Sequence, residues 1–148
     1  MTTDTSEEGR EEMIDSVLLT SGYEKLTSKD FNTDYAIDEG MLRTFLERSQ
    51  RHKVQRARIY DSEVNTRKFY ERLRGQITQR GIVDVLRQGV EHNATKFILY
   101  FPTPLDANLQ SKALYENNHF CCVRQLHYSK LYPELSIDMV LMLNGLPI

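Results

Sequence analysis

The chain has 148 residues, 40% hydrophobic and 27% charged, with a formal net charge of −2. That is the size of one ordinary domain and the composition of a folded globular chain rather than a disordered or fibrous one. No apolar run approaches a membrane span and no apolar stretch follows the N-terminus as a signal peptide would, so a cytoplasmic protein without membrane contact is expected.

The charge is unevenly spread. Residues 1–40 hold 3 basic and 11 acidic side chains, residues 41–80 hold 11 and 4, and residues 81–148 hold 5 and 6. The basic middle segment can meet phosphate, form the solvated face of helices, or neutralise the acidic first segment. Cys121 and Cys122 are adjacent in a strand-like run, so they face opposite sides and cannot bond each other. They read as small buried thiols. Asn93-Ala94-Thr95 fits a glycosylation sequon, a chance match in a chain with no secretory signal.

In chain order, residues 1–10 are acidic and polar and read as a frayed tail, with 11–148 as one domain. Thr5 to Glu8 has capping-box spacing. Glu11 to Ser21 looks helical, with Ile14, Val17 and Leu18 on one face and Gly22 at its end. Tyr23 to Leu26 is a short strand candidate, and Asp30 to Tyr35 is polar loop. Asp38 is placed to cap a helix through Arg48 that buries Met41, Leu42, Phe45 and Leu46. Arg51 to Tyr60 can continue helically, with Val54 and Ala57 inward and Arg51, Lys53, Arg56 and Arg58 outward. A third helix starts near Ser62, with Val64, Phe69, Leu73 and Ile77 as its apolar stripe and Gly81 after its end. Ile82 to Arg87 reads as one more helix, closed by Gly89.

The period then changes. Lys96 to Phe101 is a continuous apolar run ended by Pro102, as in a strand covered on both faces. Asp106 can cap a helix through Tyr115, with Leu109, Ala113 and Leu114 inward, broken by Asn117-Asn118. Phe120 to Tyr128 is strand-like, and a turn follows around Tyr132-Pro133. The crossover helix lets the strands at 96–101 and 120–128 run parallel. In Leu135 to Leu143 the residues Leu135, Ile137, Met139, Leu141 and Leu143 alternate as one apolar face. Asn144-Gly145 is a strong hairpin signal, since a type I′ turn needs φ > 0 at both central residues. A two-residue loop there pairs Leu143 with Leu146 and, counted outward, Asp138 with a position beyond Ile148. The hairpin therefore reads as cut short beside Asp138. The expected class is α/β: a small mixed sheet flanked by helices, with a helical N-terminal half.

Asp138 is the residue that asks for explanation, because it sits in the most apolar segment and a buried carboxylate needs a partner. It is either an edge-strand carboxylate held by water or backbone N–H groups, or a metal ligand at a strand end. Glu134 reads as a solvated turn residue, and Glu11 and Glu12 suit the first turns of a helix. The four histidines have no zinc spacing. The common nucleotide-binding fingerprints are absent.

The runs GIVDVLRQGV at 81–90, KFILYFPTPLDAN, YENNHFCCVRQLHYS and SIDMVLMLNGLPI together resemble the N-terminal domain of the restriction subunit of type I restriction–modification enzymes. Glu11, Leu18, Gly22 and Tyr23 resemble that family's opening. The resemblance implies a restriction-endonuclease-like fold and a nuclease of the P-D…(D/E)-x-K type, though Ile137 stands where the motif has proline. It implies Asp138 and Glu11 as catalytic, Mg²⁺-binding residues, with the (D/E)-x-K pair on the following strand, past Ile148. It makes Arg51, Lys53, Arg56 and Arg58 candidates for the backbone of double-stranded DNA. For the full-length complex it implies ATP-driven translocation, with methylation and specificity subunits that use S-adenosylmethionine. The residues given are then expected to bind Mg²⁺ weakly and to cleave DNA poorly. The rival reading is a non-catalytic docking domain of the same fold.

Overall fold

A computed structural model describes residues 6–27, 29–105 and 108–148. It is mixed α/β, with six helices and small sheets among the described residues. Among the described residues no helix is long and apolar enough to cross a membrane.

The first helix, α1 (Glu7–Thr20), is capped by Ser6, whose hydroxyl accepts from the Gly9 N–H at 3.1 Å. It begins inside the stretch whose composition suggests a frayed tail; Thr5 of the suggested capping box lies outside the described residues. The first strand is β1 (Glu24–Leu26). A small hairpin, β2 (Phe31–Asn32) with β3 (Ile37–Asp38), occupies part of the expected polar loop. Asp38 then caps α2 (Glu39–Ser49), accepting from the Met41 N–H at 2.9 Å, and Met41, Leu42, Phe45 and Leu46 are buried as their spacing requires.

The chain bends at Gln50 before α3 (Arg51–Ala57), which buries Val54 and Ala57. Ser62 caps α4 (Glu63–Arg80), and α5 (Ile82–Gln88) follows Gly81. On α4 the expected stripe is shifted: Phe69, Tyr70 and Leu73 are buried, whereas Val64 is exposed.

The apolar run at 96–101 departs from expectation. Only its first residues form a strand, β5 (Thr95–Phe97), paired with β4 (Val90–His92) in a hairpin outside the main sheet. Asn93 and Ala94 both take positive φ in its turn, a conformation the Asn-Ala pair does not advertise. Beyond Phe97 the backbone is satisfied by side-chain amides instead of a ladder. Gln50 brackets Ile98, accepting from its N–H and donating to its C=O, both at 2.7 Å. Asn118 does the same for Phe101, and Asn144 donates to the Leu99 C=O. Buried backbone groups must find partners, and here three amides supply them.

Asn108 caps α6 (Leu109–Tyr115); the suggested cap Asp106 lies outside the described residues. Leu109 and Ala113 are exposed and only Leu114 packs inward, so the helix lies flatter on the surface than its pattern suggests. The main sheet is completed by β6 (Phe120–His127), β7 (Ser136–Leu143) and β8 (Leu146–Pro147), in the order β1-β6-β7-β8. The parallel partner of β6 is β1, not the 96–101 segment. The β7–β8 register pairs Leu143 with Leu146, as the Asn-Gly turn requires, with φ of 53° and 87° at Asn144 and Gly145.

That turn is tied into the core. Asn144 is fully buried; its amide also bonds Asn118, and its side-chain oxygen accepts from the His119 N–H. The Asp38 N–H donates to the Gly145 C=O at 2.8 Å. The hairpin tip therefore sits under the start of α2, and Leu146 joins the larger core cluster with Leu42, Phe45 and Phe69.

A candidate metal centre between α1 and β7

The sheet has two distinct faces. Cys121, Val123 and Met142 pack on Met41 of α2, with Leu26 and Val140 at the edge of that cluster. The opposite face carries Lys25 and Arg124, both of which pair with Asp15 of α1. Cys121 thus lies beneath α2, where burial pushes its thiol up to about 12. Cys122 faces the other way, buried and free.

The ladder between β6 and β7 has one gap. Arg124 pairs with Met139 and Leu126 with Ile137, but Gln125 and Asp138 between them do not pair. Gln125 has φ 51°, the left-handed region. Arg124 faces α1, whereas Leu126, two residues on, is buried with Val123 beneath α2. In a regular strand residues two apart share a face, so the pleat reverses at this gap. Asp138 is consequently not held in the pattern of Val140 and Met142. It is exposed, not buried in the apolar ribbon as its neighbours suggest.

Freed in this way, Asp138 meets α1. Glu7, Glu11 and Asp138 each offer a carboxylate oxygen, and the three oxygens lie within 4.8 Å of one another. Glu7 and Glu11 are one helical turn apart and so share a face. Asp15 continues that face. Arg124 reaches across from β6 to pair with Glu11 through Nη2 and with Asp15 through Nη1, the latter at 3.0 Å. Arg124, Glu11 and Asp15 are all partly buried, which strengthens these pairs and ties α1 to the sheet. One oxygen of Asp15 is buried without a hydrogen-bond partner.

Two of the three clustered acids, Glu11 and Asp138, are the residues singled out from the sequence. Glu7 is not among them, because residues 1–10 read as a tail. The Glu7, Glu11, Asp15 spacing of four was the available signal. Arg124 carried none, since a lone arginine in a strand has no distinguishing pattern. Glu134 and the histidines do not join the cluster. His119 bonds Glu24 at 2.8 Å, and His127 bonds the Pro133 C=O at 2.9 Å.

Three hard oxygen donors from two elements suit a divalent cation of the Mg²⁺ type, with water completing its shell. The donor set fits, with one qualification built into it: Arg124 already engages Glu11 and would share that carboxylate with the ion. The residues expected to meet DNA lie on α3 and at its C-cap. Arg51 and Arg56 are exposed, Lys53 is half-buried, and Arg58 pairs with Asp61 at 3.0 Å. Among the described residues none of them bonds Glu7, Glu11 or Asp138.

No family model, curated protein or solved structure matches this chain.

Proposed function

We propose that this chain is the N-terminal part of a type I restriction-subunit nuclease domain, with a restriction-endonuclease-like fold. The observation that carries the reading is the meeting of Glu11 and Asp138. These two acids come from opposite ends of the sequence, and both are residues to which the resemblance assigns the metal. The four-stranded mixed sheet, with α1 on one face and α2 on the other, supports the reading as a small mixed sheet flanked by helices.

On this reading Asp138, Glu11 and Glu7 hold Mg²⁺, and Arg124 orients Glu11. The ion, when bound, polarises the scissile phosphate and lowers the pKa of an attacking water. Arg51, Lys53, Arg56 and Arg58 meet the phosphates of double-stranded DNA, which positions the duplex without reading its sequence. On the same reading the (D/E)-x-K pair follows on the strand paired with β7, and ATP-driven translocation and the methylation and specificity subunits with S-adenosylmethionine belong to other parts of the complex.

The reading frame after Ile148 tests this proposal. A Glu-x-Lys set opposite Asp138 by the β7–β8 register supports it, together with Mg²⁺-dependent DNA cleavage, by the polypeptide that includes that Glu-x-Lys, that Asp138→Ala abolishes. A stop codon or apolar residues there favour the non-catalytic docking domain. One observation favours that rival: Met13, Val17, Leu131 and Tyr132 are exposed apolar side chains.

A further inference from the structure

A cavity of about 500 Å³ opens between the start of α2 and the α3–α4 junction, and it shares no residue with the acidic centre. Its volume lies within the range of small-molecule sites. Its lining is aromatic: Tyr35, Tyr60 and the fully buried Tyr70. The rings of Tyr35 and Tyr70 are 5.8 Å apart, and the Tyr60 and Tyr70 hydroxyls are 3.4 Å apart. Two hydroxyls share one proton between them, so the second proton has no protein acceptor among the described residues and is free for a ligand. Burial raises both phenols, and both remain donors near neutral pH.

Charges of both signs surround this floor. The Arg43 guanidinium lies 4.5 Å from the Tyr60 ring centroid and is tied to Glu47 through Nε alone. Arg67, Glu39 and Glu63 also line the cavity, and none has an ion pair among the described residues. A bare anion would gain the arginines but meet two carboxylates, and it would leave the aromatic floor unused. An apolar ring alone would leave Arg67, Glu39 and Glu63 unsatisfied. The ligand that uses all three features is flat, carries amino groups on its ring and bears an anionic group.

We propose that the cavity formed by Tyr35, Tyr60, Tyr70, Arg43 and Arg67 binds a nucleotide. An amino-bearing base lies against the half-buried Tyr35 and Tyr60, with Tyr70 behind them, the phosphate meets Arg43 and Arg67, and Glu39 or Glu63 accepts from the ring amine. Base–aromatic stacking and charge-assisted contacts to phosphate supply the affinity. The nucleotide comes either free or unstacked from a single strand, and the same contacts serve both. The site goes beyond the nuclease reading and does not depend on it.

The test is a titration of the whole chain by ¹H–¹⁵N NMR with AMP, adenosine, inorganic phosphate and a short adenine-rich single-stranded oligonucleotide. AMP should shift signals at Tyr35, Arg43, Tyr60 and Tyr70 with a Kd of about 1 mM or tighter. Adenosine and phosphate should each bind about tenfold more weakly. Arg67→Ala, an exposed substitution, should weaken AMP about fivefold with an unchanged melting temperature, and Tyr60→Phe should weaken it by a smaller factor. Oligonucleotide shifts at the same residues assign the strand as source; AMP shifts without them assign the free nucleotide. Shifts elsewhere, no shifts, phosphate binding as well as AMP, or an unaltered Arg67→Ala affinity would overturn the proposal.

Discussion

Gln125 and Asp138 stand across from each other in the one gap of the β6–β7 ladder, where the backbone of Gln125 is left-handed. A non-glycine residue pays about 1 kcal/mol for that conformation. Gln125→Gly should therefore be neutral or stabilise by up to about 1 kcal/mol, even though the Ser136 hydroxyl loses its bond to the Gln125 side chain. Gln125→Val should destabilise by about 1 kcal/mol or more, since a β-branched residue tolerates φ > 0 poorly. Urea unfolding of the two variants checks this. Equal stabilities would mean that the gap is not held by backbone conformation.

Arg124 ties α1 to the site, and its removal strands Glu11 and Asp15 in a partly buried setting. Arg124→Met should cost about 2 kcal/mol, more than the loss of an exposed ion pair. The loss should be partly recovered by millimolar Mg²⁺, because the ion can replace the missing positive charge beside Glu11. Thermal melting of the variant with and without Mg²⁺ reads both effects. A variant as stable as the parent would contradict the clamp.

The Asn144-Gly145 turn makes a sharper stability prediction. A Cβ on Gly145 would lie 2.6 Å from the Asp38 carbonyl oxygen and 2.8 Å from the Leu42 nitrogen, at a φ of 87°. Gly145→Ala should cost more than about 2 kcal/mol. Asn144→Ala leaves the Leu99 C=O and His119 N–H without their amide partner and should cost about 3 kcal/mol. Denaturation midpoints of both variants give the comparison, and a cost under about 0.5 kcal/mol at either position would contradict the packing described here.

Asp38 gives the fold a defined response to acid. Burial pushes its carboxyl above the ordinary 3.8; the Met41 N–H offsets part of the rise and the nearby Asp30 adds to it. A carboxyl raised in this way holds its proton more tightly in the folded state. Its stabilising contribution is full below 3.8 and is lost as pH rises through the folded value. Asp38→Asn keeps a cap acceptor for Met41 and removes the titration. The stability of the parent relative to this variant should rise as pH falls from neutral toward 3.8, as urea midpoints at successive pH values would show. A difference that is flat or moves the other way would sink this assignment.

Much of the fold can be read from local pattern. The buried face of α2, the Ser62 cap, the glycines closing α4 and α5, and the Leu143–Leu146 register all follow from spacing and turn chemistry. What cannot be read is non-local. The pairing of the three-residue β1 with β6 is decided by the whole intervening chain. The 96–101 run has the composition of a sheet strand, but Gln50, Asn118 and Asn144 claim its backbone first. For the candidate site, Glu11 and Asp138 were legible, whereas Glu7 was obscured by the polar stretch around it. The alternation makes Leu135 and Ile137 look buried, but both are exposed: Leu135 precedes β7, and Ile137 sits beside the gap at Gln125.

The account depends most on the acidic meeting point of α1 and β7. Mn²⁺, a paramagnetic substitute for Mg²⁺, tests it in solution by ¹H–¹⁵N NMR. The amide signals nearest Glu7, Glu11 and Asp138 should broaden first, Mg²⁺ should restore them competitively, and Glu11→Gln with Asp138→Asn should abolish the effect. Broadening centred elsewhere on the chain, or broadening that persists in the double variant, would contradict a metal centre at this place.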